Sequence, residues 1–423
     1  MAEAAVPAGR RATHGGRPLL PAVAWRNLWR NSRRTWLTAG GIAFTVFLIV
    51  FAMSFQGGAY LQTIDNATAL LSSHMQVQNR DYVDDTRVDQ TMEQVTELVN
   101  RLESQPGIES VAPRVEAFAL VSAGERAFGA QVFGVDPERE RRTVRLFDRV
   151  AEGRMIAGGE DAMVGEILAG NLGIGVGGEI VLLGNGKEGG VAALVLNVVG
   201  VFRTGIPDLD RAMVAAPIAT VQDGFGLGDE VHTLAIRTEQ VTESEGLARD
   251  LNNWLPEPLV ARNWDEVMPG VRQGIEIDRI GGYFMYGFII IVVIFSVVNS
   301  FIMTVFERTR EFGMLRAIGM RPGRIVLMVQ IEASLVWLLG AAIGLALALP
   351  VILWLERYGF YLGDELASMA EAMYVPDRLY AKTTAIGLGG APAVMFVGTQ
   401  IAALIPSLRI RRLQPVTALR ADE

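Results

Sequence analysis

The chain runs to 423 residues, 50% of them hydrophobic, with a formal net charge of −8 and no cysteine. Disulfide bracing and thiol chemistry are therefore excluded, and any domain outside a membrane stands on its packed core. The net charge argues neither for nor against nucleic acid, because the arginines gather in a few places and the acids in others.

An N-terminal tail rich in Ala, Gly, Pro and Arg (1–23) reads as disordered. The segment 24–35 follows, with Trp25, Leu28 and Trp29 at helical spacing and arginines between them. It suits an interfacial helix with its indoles at headgroup depth, or simply a basic flank that fixes topology. A first membrane span is expected over 36–56, as a retained anchor rather than a cleaved signal.

The stretch 57–282 is long enough for one or two water-soluble domains. Its α/β part covers about 73–135 and 212–270. There, Thr91–Leu102 has helical periodicity, and Ser110–Val121 and Arg126–Val135 read as a hairpin turning at Gly124. Between these parts a β-rich insertion is expected over about 136–206, with strands at Glu179–Leu183 and Val191–Val201.

Gly173-Ile174-Gly175-Val176-Gly177-Gly178 formally fits a dinucleotide-binding pattern, but it neither clearly follows a strand nor opens a helix. A glycine-rich turn is the better reading. Gly184-Asn185-Gly186-Lys187 resembles the end of a phosphate-binding loop, yet Glu188 stands where a Mg²⁺-binding hydroxyl belongs. The histidines His14, His74 and His232 lack metal-ligand spacing. No catalytic constellation is legible, so the chain is expected to be non-catalytic and to hold no cofactor or metal.

Three further spans are expected at 283–306, 325–355 and 383–406, separated by a charged segment (307–324) and an acidic loop (356–382). A tail, 407–423, closes the chain. Arginines cluster before the first span, between the second and third and after the fourth. That pattern puts both termini in the cytoplasm and the large domain outside.

Glu332 sits inside the third apolar stretch, where a carboxylate demands a partner; a structural or coupling role is favoured over proton transfer. Gly340 and Gly344 form a small-xxx-small pair suited to close helix packing. The fold class is thus an α-helical membrane protein with four transmembrane helices (1+3) and a large extracytoplasmic mixed α/β domain containing a β-rich inserted subdomain.

The run Glu307-Arg308-Thr309-Arg310-Glu311-Phe312-Gly313-Met314-Leu315-Arg316-Ala317-Ile318-Gly319, with Glu332-Ala333 after it, resembles the cytoplasmic signature of FtsX-like permeases. Ala24–Leu28 and Pro415–Arg420 are similar to that family's entry and closing segments. These are the membrane subunits of MacB-type ABC systems, which include lipoprotein-releasing permeases of the LolC and LolE kind.

The resemblance implies a MacB-like periplasmic core domain and a bacterial inner-membrane location. It implies two separate ATPase subunits carrying ATP and Mg²⁺, a second permease copy or relative, and a lipoprotein or periplasmic adaptor as further partner; nucleic acid is not expected. It also implies that Glu307, Arg308, Glu311, Phe312, Gly313, Leu315, Arg316, Ala317, Ile318 and Gly319 couple the ATPase to the spans. On a helix, Phe312, Leu315 and Ile318 fall near one face as an apolar ridge for a partner's groove, with Arg308, Glu311 and Arg316 at its rim.

The expected function is mechanical transmission of ATP-driven motion to the external domain. Lipoprotein release is the preferred branch, because His74–Gln78, shortly followed by Asp81-Tyr82, looks like the segment after the first span in LolC- and LolE-like proteins. Export of a peptide, antibiotic or other amphiphile, or FtsX-like regulation of cell-wall hydrolases, is the alternative.

Overall fold

The computed structural model describes residues 19–82, 86–361, 363 and 378–412. The tail through residue 18 with His14, the acids Asp364, Glu365, Glu371 and Asp377, and the closing segment Pro415–Arg420 lie outside the described residues. The chain divides into two compact units, Met1–Gly57 with Ile280–Tyr358 and Ala381–Glu423, and Gly58–Arg279 with Gly359–Tyr380.

The helices that enter the first unit are α1 (Leu19–Arg30), α2 (Ser32–Ala67), α3 (Pro269–Glu307), α4 (Thr309–Ala317), α5 (Pro322–Tyr358) and α6 (Ala385–Ser407); the first unit takes α2 through Gly57 and α3 from Ile280, and their remaining turns belong to the second. Four of them, α2, α3, α5 and α6, are long and apolar enough to cross a membrane. At 36, 39 and 37 residues, α2, α3 and α5 exceed the roughly 20 needed for a span. The expected spans mark the apolar parts of these longer helices.

The expected segment 24–35 is not one helix. It breaks at Asn31, whose carbonyl accepts from the Arg34 and Thr35 amides, while the Thr35 hydroxyl donates to the Leu28 carbonyl at 2.7 Å. Side chains and turn bonds thus take over acceptors freed where the ladder is interrupted.

Inside this unit the glycines of α5 set the approach of α2. A Cβ on Gly340 would stand 2.8 Å from the Ala39 carbonyl oxygen, and one on Gly344 2.6 Å from that of Ala43. Small residues permit such backbone contact where apolar area alone gives helices little reason to associate. A Cβ on Gly398 in α6 would meet the Ile294 side chain of α3 at 2.3 Å. Pro392 interrupts the ladder of α6, and its own carbonyl accepts from the Trp337 indole at 2.9 Å.

The second unit is built on one ten-stranded mixed sheet. Its strands are β1 (Met75–Asn79), β2 (Ile108–Ala123), β3 (Arg126–Val135), β4 (Val150–Gly153), β5 (Asp161–Gly165), β6 (Glu179–Asn185), β7 (Val191–Phe202), β8 (Met213–Pro217), β9 (Thr233–Thr238) and β10 (Leu259–Asn263). The order is β10-β1-β9-β2-β3-β8-β5-β7-β4, with β6 bridging β2 and β7. The β-rich stretch supplies β4 to β7 and does not form a separate sheet: β5 pairs with β8, and β6 runs antiparallel to β2.

Period-two alternation sends Val115, Ala117, Ala119 and Val121 of β2 into the larger core. The opposite face of the sheet covers a smaller core around Phe133, Phe147, Met163 and Phe202. The glycine run 173–178 is a turn, since Gly173 caps the helix Glu166–Leu172 at φ +73° and β6 begins directly afterwards. Lys187 is ion-paired with Glu230.

His232 is fully buried, its Nε2 3.1 Å from the Val88 carbonyl and its Nδ1 accepting the Glu116 amide at 3.1 Å. Both contacts fit the neutral ring with the proton on Nε2. Burial pulls its pKa down to about 4 despite that carbonyl and the nearby Glu230. Between pH 6.5 and about 4 the unfolded chain binds a proton that the folded one excludes, so stability falls as pH drops through this window.

Two predictions follow from this packing. Thermal melting of the protein in lipid nanodiscs from pH 7 to 4.5 is expected to show an acid loss that His232→Gln reduces by about 2–3 kcal/mol; an equal acid loss in the variant would refute the assignment. Gly344→Val is expected to lower stability by about 1–3 kcal/mol through overpacking, whereas Gly389→Ala, whose Cβ meets nothing within 4 Å, leaves the melting midpoint unchanged.

Candidate coupling site

The charged segment between α3 and α5 folds as the short helix α4. Its end is set by Gly319, which adopts φ +96°, a backbone conformation that disfavours any side chain. The Gly319 amide bonds the Arg316 carbonyl and the Met320 amide that of Leu315, closing the last turn before Pro322 opens α5.

At the centre is Arg308, with only 8% of its side chain exposed. Its Nη1 donates to both carboxylate oxygens of Glu332, at 3.0 and 2.8 Å, and its Nε to Glu311 at 3.0 Å. Glu332 Oε1 also accepts from Asn27 Nδ2 of α1 at 2.7 Å. The second oxygen of Glu311 is paired with Arg30.

One turn earlier, Arg34 clamps Glu307 through two bonds of 2.7 Å and reaches the Thr304 hydroxyl at 3.2 Å. Three guanidiniums, Arg30, Arg34 and Arg308, therefore meet three carboxylates, Glu307, Glu311 and Glu332, and their charges balance. A cavity of about 50 Å³ lies among Asn27, Arg34, Thr304, Arg308 and Glu332, large enough for water. Outside the spans, burial raises the pKa of Glu311, but hydrogen bonds from Arg308 and Arg30 outweigh it and hold the carboxyl below its usual range.

This arrangement corrects the expected partner-facing ridge. Phe312 is fully buried in the unit's own core, stacked under the Arg308 guanidinium at 5.1 Å, and Leu315 packs beside it. Arg308 and Glu311 bond within the chain, so neither forms a free rim. The face α4 leaves open carries Arg310, Met314, Ala317 and Ile318, with Ile318 85% exposed. Gly313 is buried and Arg316 half-buried.

Around this centre, Leu28 of α1 is buried while Trp25 and Trp29 are exposed, their rings edge to face at 5.8 Å. The sequence places Arg30 and Arg34 on an interfacial or topology-fixing flank and gives Asn27 no partner; the structure joins all three to the acids of α3, α4 and α5. The usable signal was the acid within an apolar run, which calls for a cation.

The FtsX-like permease C-terminal family model matches residues 283–415, and the MacB-like periplasmic core domain model matches residues 35–253. The lipoprotein-releasing system transmembrane protein LolC of Neisseria meningitidis serogroup B is 24% identical over 408 residues, covering 92% of this chain and 94% of that protein. The macrolide export ATP-binding/permease protein MacB of Shewanella sp. is 23% identical over 92% of this chain but 58% of its own length. Among solved structures, the periplasmic region of MacB from Actinobacillus actinomycetemcomitans aligns with 50% of this chain and 97% of that one, at 15% identity and a TM-score of 0.36. The chain belongs to the FtsX-like, MacB-type family of ABC transporter permeases.

Proposed function

We propose that this permease receives ATP-driven motion from a separate ATPase through α4 and passes it through its spans to the extracytoplasmic domain. The observation that carries the proposal is the buried Arg308–Glu332 pair with its extension to Asn27, Arg30 and Glu311. Charge-assisted bonds of this kind hold geometry tightly, so a push on α4 is delivered to α1 and α5 together. The exposed Met314, Ala317 and Ile318 form the contact for the ATPase. Both termini lie in the cytoplasm on this reading, as the arginine distribution asks.

Release of lipoproteins from the inner membrane is the preferred process. Its support is the near full-length correspondence with proteins named for lipoprotein release, at 92% and 94% of the two chains. The macrolide exporters match over 58% of their length, and export of an amphiphile is the second reading.

The coupling is tested in nanodiscs by ATPase copurification and by substrate-dependent ATP turnover. Ile318→Asp is expected to cut recruitment at least tenfold while leaving the melting midpoint intact; unchanged recruitment would remove this face from the mechanism. Glu332→Leu alone leaves a buried cation short of its partner and is expected to cost about 3–5 kcal/mol. Arg308→Met combined with Glu332→Leu is expected to regain most of that stability without regaining coupling. If the double variant couples like the wild type, the pair serves packing alone.

A further inference from the structure

The extracytoplasmic unit holds a second feature that the coupling reading does not use. A cavity of about 350 Å³ opens between the end of α2, the sheet face carrying Arg114 and Glu116, and the residues just before α3. That volume is in the range of small-molecule pockets. Its walls are apolar, with Leu70, Leu71, Ile206 and Met268, and its floor is polar.

Most of the floor is already satisfied within the chain. Arg114 bonds the Leu71 carbonyl and is ion-paired with the buried Glu140, so its charge is matched. Glu116 accepts from Tyr82 at 3.3 Å, Gln131 at 3.2 Å and Thr233 at 3.0 Å. Burial raises the pKa of this carboxyl, with Arg114 and the three donors opposing it.

Gln78 is the exception. It is 1% exposed and lines the cavity, and its Nε2 has no acceptor among the described residues; the Nε of Arg114 is in the same position. A buried donor without an acceptor costs free energy that a bound acceptor would recover.

The apolar wall also has an extension. Beyond Arg114 and Glu116, the same face of β2 presents Phe118 and Leu120, 62% and 46% exposed, and Leu120 pairs across with the exposed Leu183 of β6. From Glu116 to Leu120 this strip runs about 13 Å.

We propose that this cavity is a binding site for an uncharged amphiphile, whose carbonyl oxygen accepts from Gln78 Nε2 and whose apolar chain lies against Leu70, Leu71, Ile206 and Met268. The chemistry follows from the floor, which offers a donor without surplus positive charge. A carboxylate or phosphate would find no unpaired cation there among the described residues. The site goes beyond the coupling function and does not depend on it.

The test uses the full-length protein in nanodiscs and a diazirine-labelled monoacylglycerol, compared with a diazirine-labelled alkane and fatty acid of equal chain length. Crosslinks of the monoacylglycerol are expected on peptides containing Leu70, Leu71, Ile206 or Met268, with the fatty acid anion labelling several-fold less. Gln78→Leu replaces an unmatched buried donor by an apolar side chain of similar size, so folding is expected to persist. It is expected to weaken monoacylglycerol labelling about tenfold while leaving alkane labelling unchanged.

Ile206→Trp, at a rim position 45% exposed, is expected to block all pocket labelling without loss of the melting midpoint. Labelling that is indifferent to Ile206→Trp, or a monoacylglycerol affinity unchanged in Gln78→Leu, would overturn the proposal. Preferential labelling by the fatty acid anion would overturn its chemical assignment.

Discussion

The membrane unit is organised around one buried ion pair, Arg308 with Glu332. Taking both charges out of water is costly, and mutual attraction offsets that cost only when the remaining donors and acceptors are also matched. Here they are matched by Asn27 and Glu311, which is why α1, α4 and α5 converge on one point. Removing Arg308 or Glu332 alone leaves the other as a buried charge without its main partner. The geometry where α1, α4 and α5 meet is thus fixed by electrostatics as much as by apolar packing.

That pairing was half legible in the sequence. Glu332 stands out in an apolar run and calls for a cation, but arginines in every basic cluster could answer. The partners lie 24 positions away for Arg308 and 305 for Asn27, distances at which no local pattern speaks. Of the ridge read from helical spacing, Phe312 and Leu315 pack into the unit's core while Ile318 stays exposed. Spacing cannot say whether a side faces a partner or the chain's own core, because burial is decided by what packs there.

The external unit shows the same division. The β2–β3 hairpin was readable from alternation and the glycine turn, since its pairing is local. β5 and the helix Glu166–Leu172 were not read. The strand is five residues long and pairs in parallel with β7 some thirty-five positions on, so its evidence is spread along the chain. The polar floor beneath the cavity was equally hidden: Gln78 and Glu116 look like ordinary outward residues of alternating strands until the end of α2 covers them.

The balance of charge around Arg308 bears on its response to membrane voltage. Arg30, Arg34 and Arg308 are offset by Glu307, Glu311 and Glu332. An elementary charge carried across the bilayer would exchange about 2.3 kcal/mol with each 100 mV of membrane voltage. These six side chains carry no net charge, so displacing them together would exchange nothing with the membrane voltage; Arg310 and Arg316 of α4 stand outside that balance.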